Sequence, residues 1–454
     1  MRPTRRRFLV ASLAATGFSR VATADDGFKI LEARTGSLRL LPEPAAETPV
    51  WTFNGSVPAP LLRFKKGEES RLRLVNKLEQ PIALHFQGVR IANPMDGAVG
   101  LTRASVAPGQ SFDYRFTPPD SGTFWYRSSI PANAAEQNAR GLYGLLVVDE
   151  AEPPAVDLDL PVVIADWRLD AKGLISGPFP SPPDAVGAGR IGDLMTVNSA
   201  ALPLAVEQRP GSRIRLRLLN ACNARLMAAT FENLDVRVVA IDGQPCDPFP
   251  PARQTIPLGP GARFDVMFDL PLEDGAKSSI KLRGGGLRSD SSGEADRDLV
   301  VFTAKGDKRT PSASGHKLPL NPLLPLEIKL QNAQRLDLNI EGPSKDPRKV
   351  WTFNKGAGAV GAKPLFSVKR GQPVTLGFIN KTSVAQSIHV HGHVMRVLHL
   401  LDDGWEPYWR DSVIIAPGKT ARVAFIADNP GKWLIDSTIL EHAASGLSAW
   451  FEVA

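Results

Sequence analysis

The chain has 454 residues, more than one compact core accommodates, so two or three domains are expected. The formal charge is +7, but Arg2, Arg5, Arg6, Arg7 and Arg20 fall in an N-terminal stretch that reads as removable, and without those five about +2 remains. That balance excludes a nucleic-acid reading based on charge. Gly and Pro number 39 each, and that abundance suits short strands and many turns better than long helices.

Thr4-Arg5-Arg6-Arg7-Phe8-Leu9 is a twin-arginine pattern. A weakly apolar run over residues 10–18 follows, then the cleavage-type Ala22-Thr23-Ala24. The run is too short to span a bilayer. Residues 1–24 are therefore expected to be an export signal, with a mature chain that starts near Asp25, carries no membrane span and resides in a bacterial periplasm. Cys222 and Cys246 both survive cleavage. They are expected either as one disulfide or as two buried thiols, since spacing alone does not decide.

One short pattern then recurs three times. Trp51-Thr52-Phe53-Asn54, Met195-Thr196-Val197-Asn198 and Trp351-Thr352-Phe353-Asn354 each lead to a glycine (Gly67, Gly211, Gly371). A strand-like run follows that closes on Asn76, Asn220 or Asn380. The interval from glycine to closing asparagine is the same in all three. A second unit follows at constant spacing: Pro108-Gly109 before Phe116, Pro260-Gly261 before Phe268, Pro417-Gly418 before Phe425. Each Pro-Gly is a turn, and each run after it alternates as a half-buried strand does. Recurrence at domain-sized intervals means a triplicated domain rather than a solenoid. The expected β-sandwich domains cover 26–150, 155–305 and 326–454, with 306–325 as a linker. Gly284-Gly285-Gly286 and Ser291-Ser292-Gly293 read as hairpin tips.

The chemistry concentrates in the third copy. His389, His391 and His393 are three of only seven histidines. Alternate residues of a strand share a face, so all three rings are expected on one side, available to a transition metal. An isolated H-x-H is more often a packed or surface pair than a ligand pair, so what meets these rings decides. Leu84-His85-Phe86-Gln87-Gly88 matches Ile388-His389-Val390-His391-Gly392. Aligned on Gly122 and Gly431, Arg127 matches Asp436 and Ser129 matches Thr438. Asp96 sits in a Met-Asp-Gly turn, where capping of backbone amides is the simple expectation. His316 and His399 show no evident partner, and Trp405, Trp409 and Trp450 read as core or rim aromatics.

At these residues the chain resembles the multicopper oxidase superfamily. His85 to Gly88, Pro94-Met95-Asp96-Gly97, Pro108-Gly109 and Gly122-Thr123-Phe124-Trp125-Tyr126 look like its first domain. Residues 218–225 look like its second, and the His389–His393 strand with Ile439-Leu440-Glu441-His442 and Gly446-Leu447 looks like its third. The resemblance implies an all-β chain of three cupredoxin-like Greek-key sandwiches in tandem. It also implies a ligand set largely missing. Of four H-x-H pairs only His389/His391 is whole, the others reading His85/Gln87, Arg127/Ser129 and Asp436/Thr438. At the blue-copper site the cysteine position is Ser437, the upstream histidine Gln386 and the axial methionine Leu447, leaving His442.

The surviving ligand positions are thus His85, His389, His391 and His442, with no catalytic residue assigned. Such a remnant can hold one copper or zinc ion rather than the family's four copper ions, or can be buried histidines satisfied by hydrogen bonds. Arg127 and Asp436 are expected to pair across the vacated cluster as an interdomain tie. The export signal, length and lost ligands resemble the copper-free FtsP/SufI-type cell-division proteins, which implies a non-enzymatic role with a periplasmic protein partner. The alternative is a diverged copper-dependent oxidoreductase using His85, His389 and His391.

Overall fold

The computed structural model describes residues 21–287, 295–310, 315–346, 349–399 and 404–454. The twin-arginine pattern and the Ser291-Ser292-Gly293 tip lie outside the described residues. Residues 22–24 pair with residues 28–30 through backbone hydrogen bonds.

The repeated asparagines explain why three copies of one fold form. Asn54, Asn198 and Asn354 sit at φ of 53°, 49° and 48°, a left-handed turn conformation that asparagine tolerates better than most residues. Each side chain then bridges the turn to the strand two steps back. Asn54 Oδ1 accepts from Glu32 N–H at 2.6 Å while its Nδ2 donates to Ile30 O. Asn198 does the same with Val163 and Pro161, and Asn354 with Asn339 and Asp337. The closing asparagines repeat a second device. Asn76, Asn220 and Asn380 each donate to at least two backbone carbonyls and accept from the N–H two residues on.

Around these anchors the chain builds three two-sheet sandwiches. The first pairs a sheet of strands Thr48–Phe53, Lys29–Leu38, Ser70–Asn76 and Ser111–Phe116 with another of strands Ala59–Lys65, Tyr143–Asp149, Gly122–Ser128 and Leu84–Gln87. The second joins a seven-stranded to a five-stranded sheet, and the third two five-stranded sheets. In every copy the opening long strand runs parallel to the strand that ends on the closing asparagine. Each sandwich encloses its own apolar core. The helices are short. Ala134–Ala139 and Pro182–Val186 both meet Leu440–Ala444, gathering segments of all three domains at one point. No helix among the described residues is long and apolar enough to cross a membrane.

One strand departs from the expected half-buried pattern. Ser111–Phe116 is half-buried, but its equivalent Arg263–Asp269 is buried along almost its whole length. The first domain covers the polar face, and the strand's charges are met mostly by arginines of the neighbouring strand, with Glu150 and Thr123 of the first domain completing the network. Arg215, on the neighbouring strand, donates to Asp265 at 2.6 Å and to Glu150 of the first domain at 2.7 Å. Arg217 forks onto Asp159 and reaches Thr123 Oγ1 at 2.7 Å. His316, expected without a partner, lies 3.3 Å from Asp269 at the edge of this network. Cys222 and Cys246 are free thiols buried in the second domain.

Candidate metal centre

Two equivalent strands deliver the imidazoles. Leu84–Gln87 carries His85 and pairs with Gly122–Ser128, setting His85 opposite Arg127. Gln386–Val390 carries His389 and pairs with Gly431–Ser437, setting His389 opposite Asp436. The correspondence between domains is that of the aligned glycines.

The structure brings His85, His389 and His391 together at the boundary of the first and third domains. One ring nitrogen from each lies within 4.8 Å of the others, and all three residues are buried. His85 Nε2 and His389 Nε2 are 3.2 Å apart, while the rings of His85 and His391 stack at 3.9 Å. Each Nδ1 is committed elsewhere. His85 Nδ1–H donates to the Asp96 carbonyl at 3.1 Å, His389 Nδ1–H to the Asp411 carbonyl at 2.8 Å, and His391 Nδ1–H to Asp96 Oδ2 at 2.9 Å. A neutral imidazole whose Nδ1–H donates to oxygen, as in His85 and His389, presents its Nε2 lone pair, the arrangement by which outer groups orient a metal-binding histidine.

Charge is distributed unevenly over the three. Burial, helped by the charge of His391, drives His85 down to about 4. His391 goes the other way: burial depresses it, but Asp96 and Asp436 outweigh burial and raise it to about 9. Asp436 Oδ1 is 3.4 Å from His391 Nε2, off the line of a hydrogen bond. Burial raises the Asp96 carboxyl, and its His391 and His85 contacts outweigh that and hold it far below the usual range. Asp96 therefore does more than cap a turn. Gly97 makes its placement possible: at φ +83° a side chain is disfavoured, and a Cβ there would stand 1.8 Å from Leu84 O.

Two expectations fail here. His393 does not join the other rings. The strand ends at Val390, and Gly392, at φ +66°, turns the chain so that His393 enters the third domain's aromatic core among Phe425, Trp433 and Phe451. Burial lowers His393 to about 4. Nor do Arg127 and Asp436 form an ion pair: among the described residues none joins them, although each feels the other's charge. Asp436 turns to His391, and Arg127 donates to its neighbour's carbonyl, Ser128 O, at 2.9 Å. Burial lowers Arg127, opposed by Asp436 and Asp96.

Sequence reasoning missed Asp411, Arg263 and Asp242. Asp411 orients His389 through its carbonyl, and its carboxylate receives Arg263 and, at 3.3 Å, Gln87 Nε2. Arg263 also donates to Thr123 O and Asp242 O, so one second-domain guanidinium touches all three domains. Asp242 Oδ2 accepts from Asp411 N–H at 3.1 Å. No local motif marks these residues: Arg263–Asp242 and Asp411–His389 span 21 and 22 residues, and the contacts that join the domains span 140 or more.

His442 lies apart from the imidazole group. Its Nε2 is 2.8 Å from the Gly187 carbonyl and its Nδ1 3.0 Å from the Gln386 amide. A neutral ring has one N–H, so with Nε2–H donating to Gly187 the Gln386 NH2 must be the group that faces Nδ1. Burial holds His442 down to about 4. Around it, Ser437 Oγ donates to Ser387 O and accepts from Ile439 N–H. Thr438 Oγ1 bonds Ser387 Oγ at 2.7 Å, Trp351 lies against the ring, and Leu447 is fully buried. In the first domain, Ser129 Oγ donates to Gly97 O.

Three family models, each described as multicopper oxidase, match residues 36–153, 160–276 and 328–454. The crystal structure of a multi-copper oxidase from Pseudomonas thermotolerans superposes with a TM-score of 0.83 at 30% identity, covering 96% of this chain and 100% of that one. Multicopper oxidase MmcO of Mycobacterium tuberculosis is 26% identical over 96% of this chain and 90% of that protein. The cell division protein FtsP of Pectobacterium atrosepticum is 30% identical over 49% of this chain and 47% of its own length.

Proposed function

The chain belongs to the multicopper oxidase family, and we propose that it is a member without the four-copper oxidase machinery, acting in the periplasm by protein contact. The observation that carries this reading is the surroundings of His442. A blue-copper centre needs a thiolate for its strong bond and electron route. Here the matching position is Ser437, whose hydroxyl is already used between Ser387 and Ile439. Gln386 bonds the one remaining histidine and Leu447 closes the axial side. These residues do not fit that copper ion. At the cluster, Arg127 is a permanent cation unable to act as a ligand, and Asp436 answers His391 instead.

A single ion does fit. Two nitrogens bound at about 2.0–2.1 Å to a tetrahedral metal stand roughly 3.3 Å apart, and His85 Nε2 and His389 Nε2 are 3.2 Å apart with both Nδ1–H groups engaged. Bound there, copper or zinc would supply Lewis acidity and a tie between the first and third domains. The same pair supports a second reading, a diverged copper-binding oxidoreductase in which His391 leaves Asp436 to become a third ligand.

For the contact role, the partial likeness to a cell division protein supports a protein partner in the envelope. The chain also displays Leu320 and Leu323 on the segment joining the second and third domains, and Leu326, 84% exposed, at the start of the third. The test is copper loading of the mature protein in air, followed by a visible spectrum and phenol oxidation. The expected result is no intense thiolate-to-copper band and no turnover. Such a band, or sustained oxidation, overturns the proposal.

A further inference from the structure

Arg263 belongs to the second domain, which supplies none of the imidazoles, yet it reaches between the two strands that carry them. Its side chain is fully buried, and both terminal nitrogens donate to the Asp411 carboxylate. Asp411 is the residue whose carbonyl takes His389 Nδ1–H at 2.8 Å. The strand of His85 closes the other side of this pair. Gln87 Nε2 donates to Asp411 Oδ1 at 3.3 Å. Gly88, at φ +89°, comes closer still. A Cβ there would stand 2.2 Å from Arg263 Nη2 and 2.6 Å from Asp411 Oδ2, so the pair fits only against a glycine.

The place of Asp411 is set mainly from outside its own domain. Its carbonyl also accepts from Val390 N–H, but its other hydrogen bonds leave the third domain. The N–H donates to Asp242 Oδ2 at 3.1 Å, and the carboxylate accepts from Arg263 and Gln87. Arg263 is fixed in turn. It donates to Gly261 O at 2.7 Å, to Asp242 O at 2.9 Å and to Thr123 O of the first domain at 3.4 Å. A planar guanidinium held by several acceptors aims its remaining N–H groups in set directions. Moving it displaces Asp411, and His389 then loses the acceptor that aims its Nε2 at His85.

We propose that Arg263 is the positioning residue of the His85/His389 metal site, so that ion binding and seating of the second domain favour each other. The inference rests on the reading that these two histidines hold one ion. Reciprocity then applies: if displacing the guanidinium weakens the ion, the ion holds the guanidinium in place by the same factor.

The test is competition titration of the mature chain with Zn(II) against a chelating indicator. Arg263→Lys keeps the charge and loses the fork; it should weaken zinc by about 10–100-fold. Arg215→Lys is the control. It disturbs another buried arginine of the second domain, bonded to Asp265 and Glu150, and should lower the unfolding temperature while leaving zinc affinity unchanged. Hydrogen exchange on the unaltered chain gives a readout that needs no variant to fold. Zinc should slow exchange of the amides around Asp242 and Arg263 by about tenfold or more. Equal zinc affinity with and without Arg263→Lys overturns the proposal, as does an equal loss in Arg215→Lys. Slowing confined to the first and third domains overturns it too. An unaltered chain that binds no zinc removes the metal site itself, a failure of the underlying reading rather than of Arg263 alone.

Discussion

The first domain meets the second and the third through two buried polar boundaries that resemble each other only in composition. Toward the second domain, Arg215 and Arg217 lie in a lattice of Asp265, Glu150 and Asp159, each guanidinium forked onto oxygens fixed on neighbouring strands. Toward the third, charges also balance, His391 and Arg127 against Asp96 and Asp436, but the fit is open. His391 Nε2 and Asp436 Oδ1 lack hydrogen-bond partners, as Asp265 Oδ1 does in the first lattice, but only toward the third domain do two Nε2 atoms confront each other, at 3.2 Å. The first lattice is closed around its guanidinium groups, while the second leaves two imidazole nitrogens facing each other.

The strongest way to break the comparison is to remove one member of the closed lattice. Asp265→Ala leaves two buried arginines short of a partner and should cost about 3–5 kcal/mol in denaturant unfolding. A loss below about 1 kcal/mol would mean that the lattice does not bear on stability.

Acid and alkali should separate the two boundaries. Burial raises the Asp159 carboxyl, but Arg217 outweighs it and holds the group down to about 2, from an ordinary 3.8. A depressed carboxylate contributes stability above its unfolded pKa and loses it as pH falls, here between about 3.8 and 2. His391 is raised from 6.5 to about 9. In metal-free protein its contribution is complete below pH 6.5 and lost as pH rises through about 9. The alkaline loss should be on the order of 2–3 kcal/mol, and Asp436→Asn should shrink it while leaving the acid limb in place. Unfolding free energies measured across pH check both limbs; an alkaline limb unchanged in that variant would remove Asp436 from the account.

The smallest effect is the control. Arg422 and Asp337 form a 3.0 Å pair in which both side chains are about half exposed. Arg422→Ala should change stability by less than about 1 kcal/mol. A larger loss would mean that burial is not what distinguishes the lattice.

How much was legible in the sequence follows from the range of the interactions. The threefold repeat was readable because its causes are local: each recurring asparagine holds a left-handed turn and bonds the adjacent strand. His85, His389 and His391 were readable because two strands of similar pattern point at one another. His393 was misread because strand alternation was carried through Gly392, where the backbone leaves the strand. The polar face of Arg263–Asp269 looked like a solvent face, and only the packing of the first domain, with Glu150 and Thr123 reaching the neighbouring arginines, reveals it as an interior one. Asp411 and Arg263, which orient His389 and join three domains, have no signature in their own neighbourhoods. The Arg127–Asp436 tie failed for a related reason: a shared cavity does not determine which partner a carboxylate takes, and His391 was nearer.

The most direct test is a metal count by native mass spectrometry on mature protein equilibrated with excess Cu(II), then buffer-exchanged, with His85→Ala/His389→Ala as reference. One retained ion per chain, lost in the double variant, is the predicted result. Four retained copper ions per chain would contradict the account.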